Sequence, residues 1–129
     1  MLNRRGFMLG VTASVGAMTV MSEIVTAQEQ ATSLIVIYPN HEGAKFDLSY
    51  YRSTHIPLAM KVMKAERVML IAGVAMGSTA APYAMICHFQ FASPEALNTG
   101  RAAPGMAEVR ADIPKFTDIK PTVMVGKSY

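Results

Sequence analysis

The sequence predicts an α+β domain of ferredoxin-like order, β-α-β-β-α-β, built on a four-stranded antiparallel sheet. Three observations carry this. Four short segments rich in Ile, Val, Met and aromatic residues alternate in strand fashion. Two segments with helix-start signals separate the first strand from the second and the third from the fourth. The second and third strands have only a short Gly- and Pro-containing turn between them, so they pair as a hairpin, which completes the split βαβ arrangement. The chain has 129 residues and shows no linker, repeat or low-complexity tract, which fits one domain.

Residues 33–38 (SLIVIY) form the first strand, ended by Pro39-Asn40 and a polar loop to Ala44. Asp47 is an N-cap, and Phe46 with Tyr51 suits a hydrophobic staple, so a helix runs from there to about Ala65. Pro57 lies inside it. Its missing N–H leaves the Ser53 carbonyl without a helical partner and bends the helix. Residues 67–76 read as the second strand, 77–82 as a turn and 83–91 as the third strand. Ser93 caps a short helix with Pro94 in its first position. Gly100 and Pro104-Gly105 interrupt it, a further helical stretch reaches Asp112, and Pro114 stops that. Residues 121–127 form the last strand.

Alternation makes both sheet faces apolar: Leu34 and Val36 oppose Ile35 and Ile37, and Val68 and Leu70 oppose Met69 and Ile71. Two helices cover one face of such a sheet. The other face calls for a second copy, so the patterning predicts a homodimer joined through its sheets.

Part of the chain's mean hydropathy of +0.25 belongs to the N-terminus. Basic residues in MLNRR precede an uncharged run from Gly6 to Ser22, and Val25 and Ala27 supply small residues at the −3 and −1 positions of a cleavage site. We read residues 1–27 as a cleavable export signal and residues 28–129 as the mature domain, with no membrane association once the signal is removed. Arg4-Arg5-Gly6-Phe7-Met8 resembles a twin-arginine signal, although Asn3 stands where Ser or Thr is usual. The expected location is periplasmic or secreted, with the twin-arginine machinery as export partner; a retained anchor is the alternative.

Composition excludes several classes. A net charge of +3 without basic clusters gives no footprint for nucleic acid. A single cysteine, Cys87, forms no internal disulfide and reads as a small buried hydrophobe. Three histidines without HxH or HExxH spacing predict no metal site, and no phosphate-binding glycine motif or GxSxG elbow is present.

The candidate chemistry centres on His55. It falls on the helix stripe of Leu48, Tyr51, Leu58, Ala59 and Val62, so it points inward, between helix and sheet. An imidazole there suits a general acid or base; the alternative is a core histidine satisfied by a backbone carbonyl. Tyr51, one turn earlier, and Tyr38, at the end of the first strand, are candidate substrate-binding residues, with plain core packing the alternative for Tyr51. Asp112 is a candidate orienter or binding group, or simply a helix-end charge. His88 shares its strand face with Ala84, Ile86 and Gln90 and needs a polar partner; we include it among the binding candidates. His41 lies in a turn and reads as solvated.

Tyr38-Pro39-Asn40, Glu42-Gly43-Ala44, Phe46-Asp47, Tyr50-Tyr51 and Thr54-His55-Ile56-Pro57-Leu58, together with the segment from Ala111-Asp112-Ile113-Pro114 through Pro121, resemble the EthD family. The likeness spans about residues 33–127. It implies a dimeric α/β barrel with a pocket between sheet and helices, faced by His55. Family members are commonly called reductases, which implies an oxidoreductase acting on a small apolar organic molecule. Related barrels include isomerases, dehydratases and haem enzymes, so fold alone does not fix the reaction. The sequence requires no cofactor, and haem and flavin are both left open. The export leader and His41 depart from the family pattern. A non-catalytic dimer that binds an apolar ligand, or assists another exported enzyme, is the alternative function.

Overall fold

The computed structural model describes residues 31–129, so the segment read as an export signal, with its expected cleavage site, lies outside the described residues. Strand β1 spans Thr32–Pro39. Helix α1 follows in three continuous pieces: an α turn at Leu48–Tyr50, a π segment at Tyr51–His55 and an α segment at Ile56–Met63. Strands β2 (Arg67–Ala72) and β3 (Tyr83–Phe91) come next, then helices α2 (Pro94–Arg101) and α3 (Met106–Asp112), a 3-10 turn at Ile113–Lys115 and strand β4 (Thr122–Lys127). The strands form one antiparallel sheet in the order β2-β3-β1-β4. This is the ferredoxin-like α+β fold that the sequence predicts.

The helix starts follow local chemistry. The Asp47 carboxylate accepts the Tyr50 N–H at 3.0 Å, and Phe46 packs against Tyr51 with ring centroids 5.0 Å apart. Ser93 Oγ accepts the Ala96 N–H at 3.1 Å, with Pro94 in the first turn. Helix α1 ends at Lys64, whose φ of 55° places it in the left-handed region while its N–H returns to the Met60 carbonyl. Glycine at position 100 lets α2 lie against that end, since a Cβ there would stand 2.6 Å from the Met63 carbonyl oxygen.

Two features differ from the sequence reading. Strand β2 stops at Ala72 rather than continuing to Met76. Gly73 still donates to the Ala84 carbonyl, but a Cβ at that position would collide with the Tyr83 carbonyl, and the chain turns away into a tip closed by the Met76–Thr79 bridge. The second difference is the π segment in α1. The Ile56 N–H bonds the Tyr51 carbonyl, five residues back. Pro57 then sits in the first turn of the following α segment, the helical position that tolerates proline best. The distortion expected at Pro57 takes the form of this wide turn just before it. The extra residue also rotates the buried stripe. Tyr51, His55, Ile56, Ala59 and Met63 face the core, while Leu58 and Val62 are only partly buried and Leu48 is exposed.

The core lies between the helices and one sheet face, where Leu34, Tyr38, Met85, Cys87, Phe89 and Phe91 point inward. Cys87 has no exposure, as a small buried hydrophobe should. The opposite face of the sheet carries no helix. Its residues Met69, Ile71 and Met124 remain about half exposed, at 56%, 53% and 53%.

Candidate functional site

The site is assembled by a seam between the start of α1 and the segment after α3. Phe46 bridges Thr117 in antiparallel fashion, and the Asp47 N–H donates to the Phe116 carbonyl at 2.7 Å. Thr117 Oγ1 donates to the Lys45 carbonyl at 2.6 Å and accepts from the Ile119 N–H, while Asp118 accepts the Lys45 N–H at 2.9 Å. These bonds hold Asp112 opposite the π segment.

Across that seam Asp112 Oδ2 meets His55 Nδ1 at 2.9 Å, with both side chains buried. Asp112 Oδ1 accepts the Tyr50 hydroxyl at 2.7 Å and lies 3.6 Å from the exposed Lys115 ammonium. Tyr50 is the site residue that sequence reasoning overlooks. In an ordinary α-helix a residue five positions before His55 points elsewhere; the i→i+5 register of the π segment brings the two to neighbouring positions on one carboxylate. The one signal in the sequence is Pro57, which marks a distortion of the helix but not its register.

The protonation pattern follows from burial and partners. Burial alone would push the Asp112 carboxyl up, but hydrogen bonds from Tyr50 and His55 and the nearby positive charges outweigh it, holding it below the usual carboxylate range. An ionised carboxylate only accepts hydrogen bonds, so His55 Nδ1 carries the hydrogen and the lone pair of the neutral ring is on Nε2. Burial pushes the His55 pKa down, and the bond and charge of Asp112 oppose that only in part. His55 is therefore a neutral base near pH 7. Among the described residues nothing hydrogen-bonds Nε2, and no polar side-chain atom there is both sealed off and unpaired, so Nε2 is not sealed off from its surroundings; His55 itself lines a cavity.

That cavity, of about 130 Å³, lies between the sheet and α1, α2 and α3. Leu34, Val36 and Phe89 form its sheet wall, and Ala59 and Met63 its helix wall. Tyr38 and Tyr51 both line it. Tyr51 stacks on His55 at 5.5 Å, and Phe116 tilts against the imidazole at 4.5 Å. Burial pushes both phenols well above the usual tyrosine range, so they stay protonated. Burial also pushes the Cys87 thiol up to about 12.

Of the sequence candidates, His55, Tyr38, Tyr51 and Asp112 come together. His88 does not join them. It stands on the uncovered face of the sheet, where its Nε2 bonds Ser33 Oγ at 2.7 Å, and Ser33 in turn bonds Ser128 at 2.9 Å. Strand alternation separates it from the cavity side, which Cys87 and Phe89 occupy. His41 is in the exposed turn, 3.7 Å from Asp118. Among the described residues no group of three or more His, Cys, Asp or Glu side chains could hold a metal ion, and no helix is long and apolar enough to cross a membrane.

The family profile described as the EthD domain matches residues 43–120, which include the whole of α1 and the Asp112 segment. The chain belongs to the EthD domain family. Solved structures share its fold. An EthD-like protein from Ralstonia eutropha JMP134 superposes with a TM-score of 0.69 at 24% identity, over 76% of this chain and 91% of that one. An ethyl tert-butyl ether D (EthD) family protein from Bacillus halodurans C-125 gives 0.62 at 20% identity, over 78% and 100%. An Arabidopsis thaliana protein gives 0.56 at 14% identity, over 80% and 92%. Among curated proteins none matches this chain.

Proposed function

We propose that this EthD-family domain binds a small, largely apolar organic molecule in the cavity between helix and sheet, and that His55 moves a proton to or from it through Nε2. The observation that carries this reading is the buried His55–Asp112 pair. It fixes the tautomer and aims the basic nitrogen at an apolar cavity, where a neutral imidazole with a depressed pKa acts as a general base near pH 7. Tyr38 and Tyr51 supply aromatic walls, and Tyr50 holds the far oxygen of the carboxylate. A reductase-type reaction is the class that the family resemblance implies, and moving the proton is the part that these side chains would supply in it.

The reading extends to assembly and location. The half-exposed Met69, Ile71 and Met124 on the uncovered face support a homodimer joined sheet to sheet. The sequence of residues 1–27 supports export by the twin-arginine route to the periplasm or beyond.

The test begins with organic molecules retained by protein purified from its native compartment, identified by mass spectrometry and assayed for turnover. His55→Gln should lower that turnover by about 10²–10⁴-fold, the usual range for a general acid or base, with ligand affinity little changed. Turnover unaffected by the substitution would overturn the role of His55. Tight retention without turnover would favour a binding or accessory protein.

A further inference from the structure

Two arginines border the cavity that His55 lines. Arg101 comes from the last turn of α2 and Arg110 from the last turn of α3. Both are exposed to solvent, so they stand at the mouth of the cavity rather than in its depth. Neither forms an ion pair among the described residues; the pairs found there join His41 to Asp118, and His55 and Lys115 to Asp112. The acidic group nearest the imidazole, Asp112, already bonds Tyr50 and His55 and lies beside Lys115, so its charge is met locally. Beyond the arginines, His55 and the two tyrosines, the walls are apolar, with Leu34, Val36 and Phe89 on the sheet side.

This arrangement is polarised. An apolar body fits the interior, and the one strong charge offered to it is positive and at the entrance. Guanidinium groups bind planar carboxylates through paired N–H donors, and they do so best where part of the surrounding surface is apolar. The helix C-termini steady both cations without neutralising them. We propose that the ligand is an amphipathic organic anion of the carboxylate class, its hydrocarbon or aromatic part in the cavity and its carboxylate held by Arg101 and Arg110. This rests on the reading that the cavity beside His55 is the ligand site, and it adds the ligand's charge and orientation.

An isosteric pair tests it: 4-ethylbenzoate and its neutral counterpart 4-ethylbenzamide, titrated calorimetrically into the full-length protein at low salt. The benzoate should bind roughly tenfold more tightly, a difference of about 1.4 kcal/mol. That preference should shrink in 0.5 M NaCl, where exposed charges are screened. In the double variant R101Q/R110Q it should fall to about one, with the benzamide affinity retained. Both substitutions are on exposed side chains, so the fold should persist, and a circular dichroism spectrum checks it. Equal affinities in the wild type, or a preference that survives in the double variant, would overturn the proposal. Benzamide binding that Ala59→Phe blocks, with no preference for benzoate, would overturn it and leave the cavity reading standing. Failure of both compounds to bind the wild type would overturn both.

Discussion

Asp112 Oδ2 lies 2.9 Å from His55 Nδ1, a buried contact between residues 57 positions apart. Replacing the carboxylate with an amide tests what the contact does. In Asp112→Asn the ring loses the one partner that raises its pKa, while the burial that lowers it remains. The His55 pKa should therefore fall further, as read by NMR titration of the imidazole. Stability should drop by about 2 kcal/mol in a denaturant titration, since buried hydrogen bonds to a charged group are weakened.

Tyr50→Phe should move the same pKa the other way. The Tyr50 hydroxyl donates to Asp112 Oδ1 at 2.7 Å and draws charge from the carboxylate. Without it the carboxylate holds the Nδ1 proton more firmly, and the His55 pKa should rise. The stability cost should be about 1 kcal/mol, that of one hydrogen bond. Opposite shifts in the two variants distinguish a positioning network from simple core packing, in which neither change would carry a sign.

Acid should weaken the fold in two stages. His55 and Asp112 both have folded pKa values below their ordinary ones, 6.5 and 3.8. Each binds fewer protons folded than unfolded within its window, so stability rises with pH there. The His55 contribution is complete above pH 6.5 and is lost as the pH falls through its folded value. The Asp112 contribution is complete above pH 3.8 and is lost below. Thermal unfolding midpoints should fall from pH 7 towards pH 3, and His55→Gln should remove the upper stage and shrink the lower one, because His55 is also among the groups that hold the Asp112 carboxyl down.

Ile71→Glu addresses the uncovered sheet face. Ile71 is 53% exposed in the protomer and lies opposite Ile86 in the sheet. A charge there costs the isolated protomer little, but a sheet-to-sheet dimer would have to bury it unpaired. Light scattering after size exclusion should give a dimer for the wild type and a monomer for the variant. A wild-type monomer at micromolar concentration would contradict the dimer.

Much of the fold was legible because it rests on local rules. Period-two alternation gave the four strands, and Asp47, Ser93 and Pro94 marked the helix starts. The strand rule also set His88 opposite Cys87 and Phe89, and the structure keeps it there, away from the cavity. What was hidden depends on geometry that no local pattern records. Proline at position 57 signalled a distortion but not its form, so the π register, the rotated stripe and the part played by Tyr50 were out of reach. Close approach at Gly73 cut β2 short. Arg101 and Arg110 look like helix-end charges until the fold brings two helix ends to one cavity.

The proposed proton transfer requires His55 Nε2 to be an unprotonated nitrogen facing the cavity. Imidazole ¹⁵N spectroscopy of the wild type at pH 7, without and with 4-ethylbenzamide, reads both ring nitrogens separately. The expected spectrum is that of a neutral ring carrying the hydrogen on Nδ1, with an Nε2 resonance that shifts on ligand addition while Nδ1 stays close to its place. A hydrogen on Nε2, or an Nε2 resonance unmoved by saturating ligand, would contradict it.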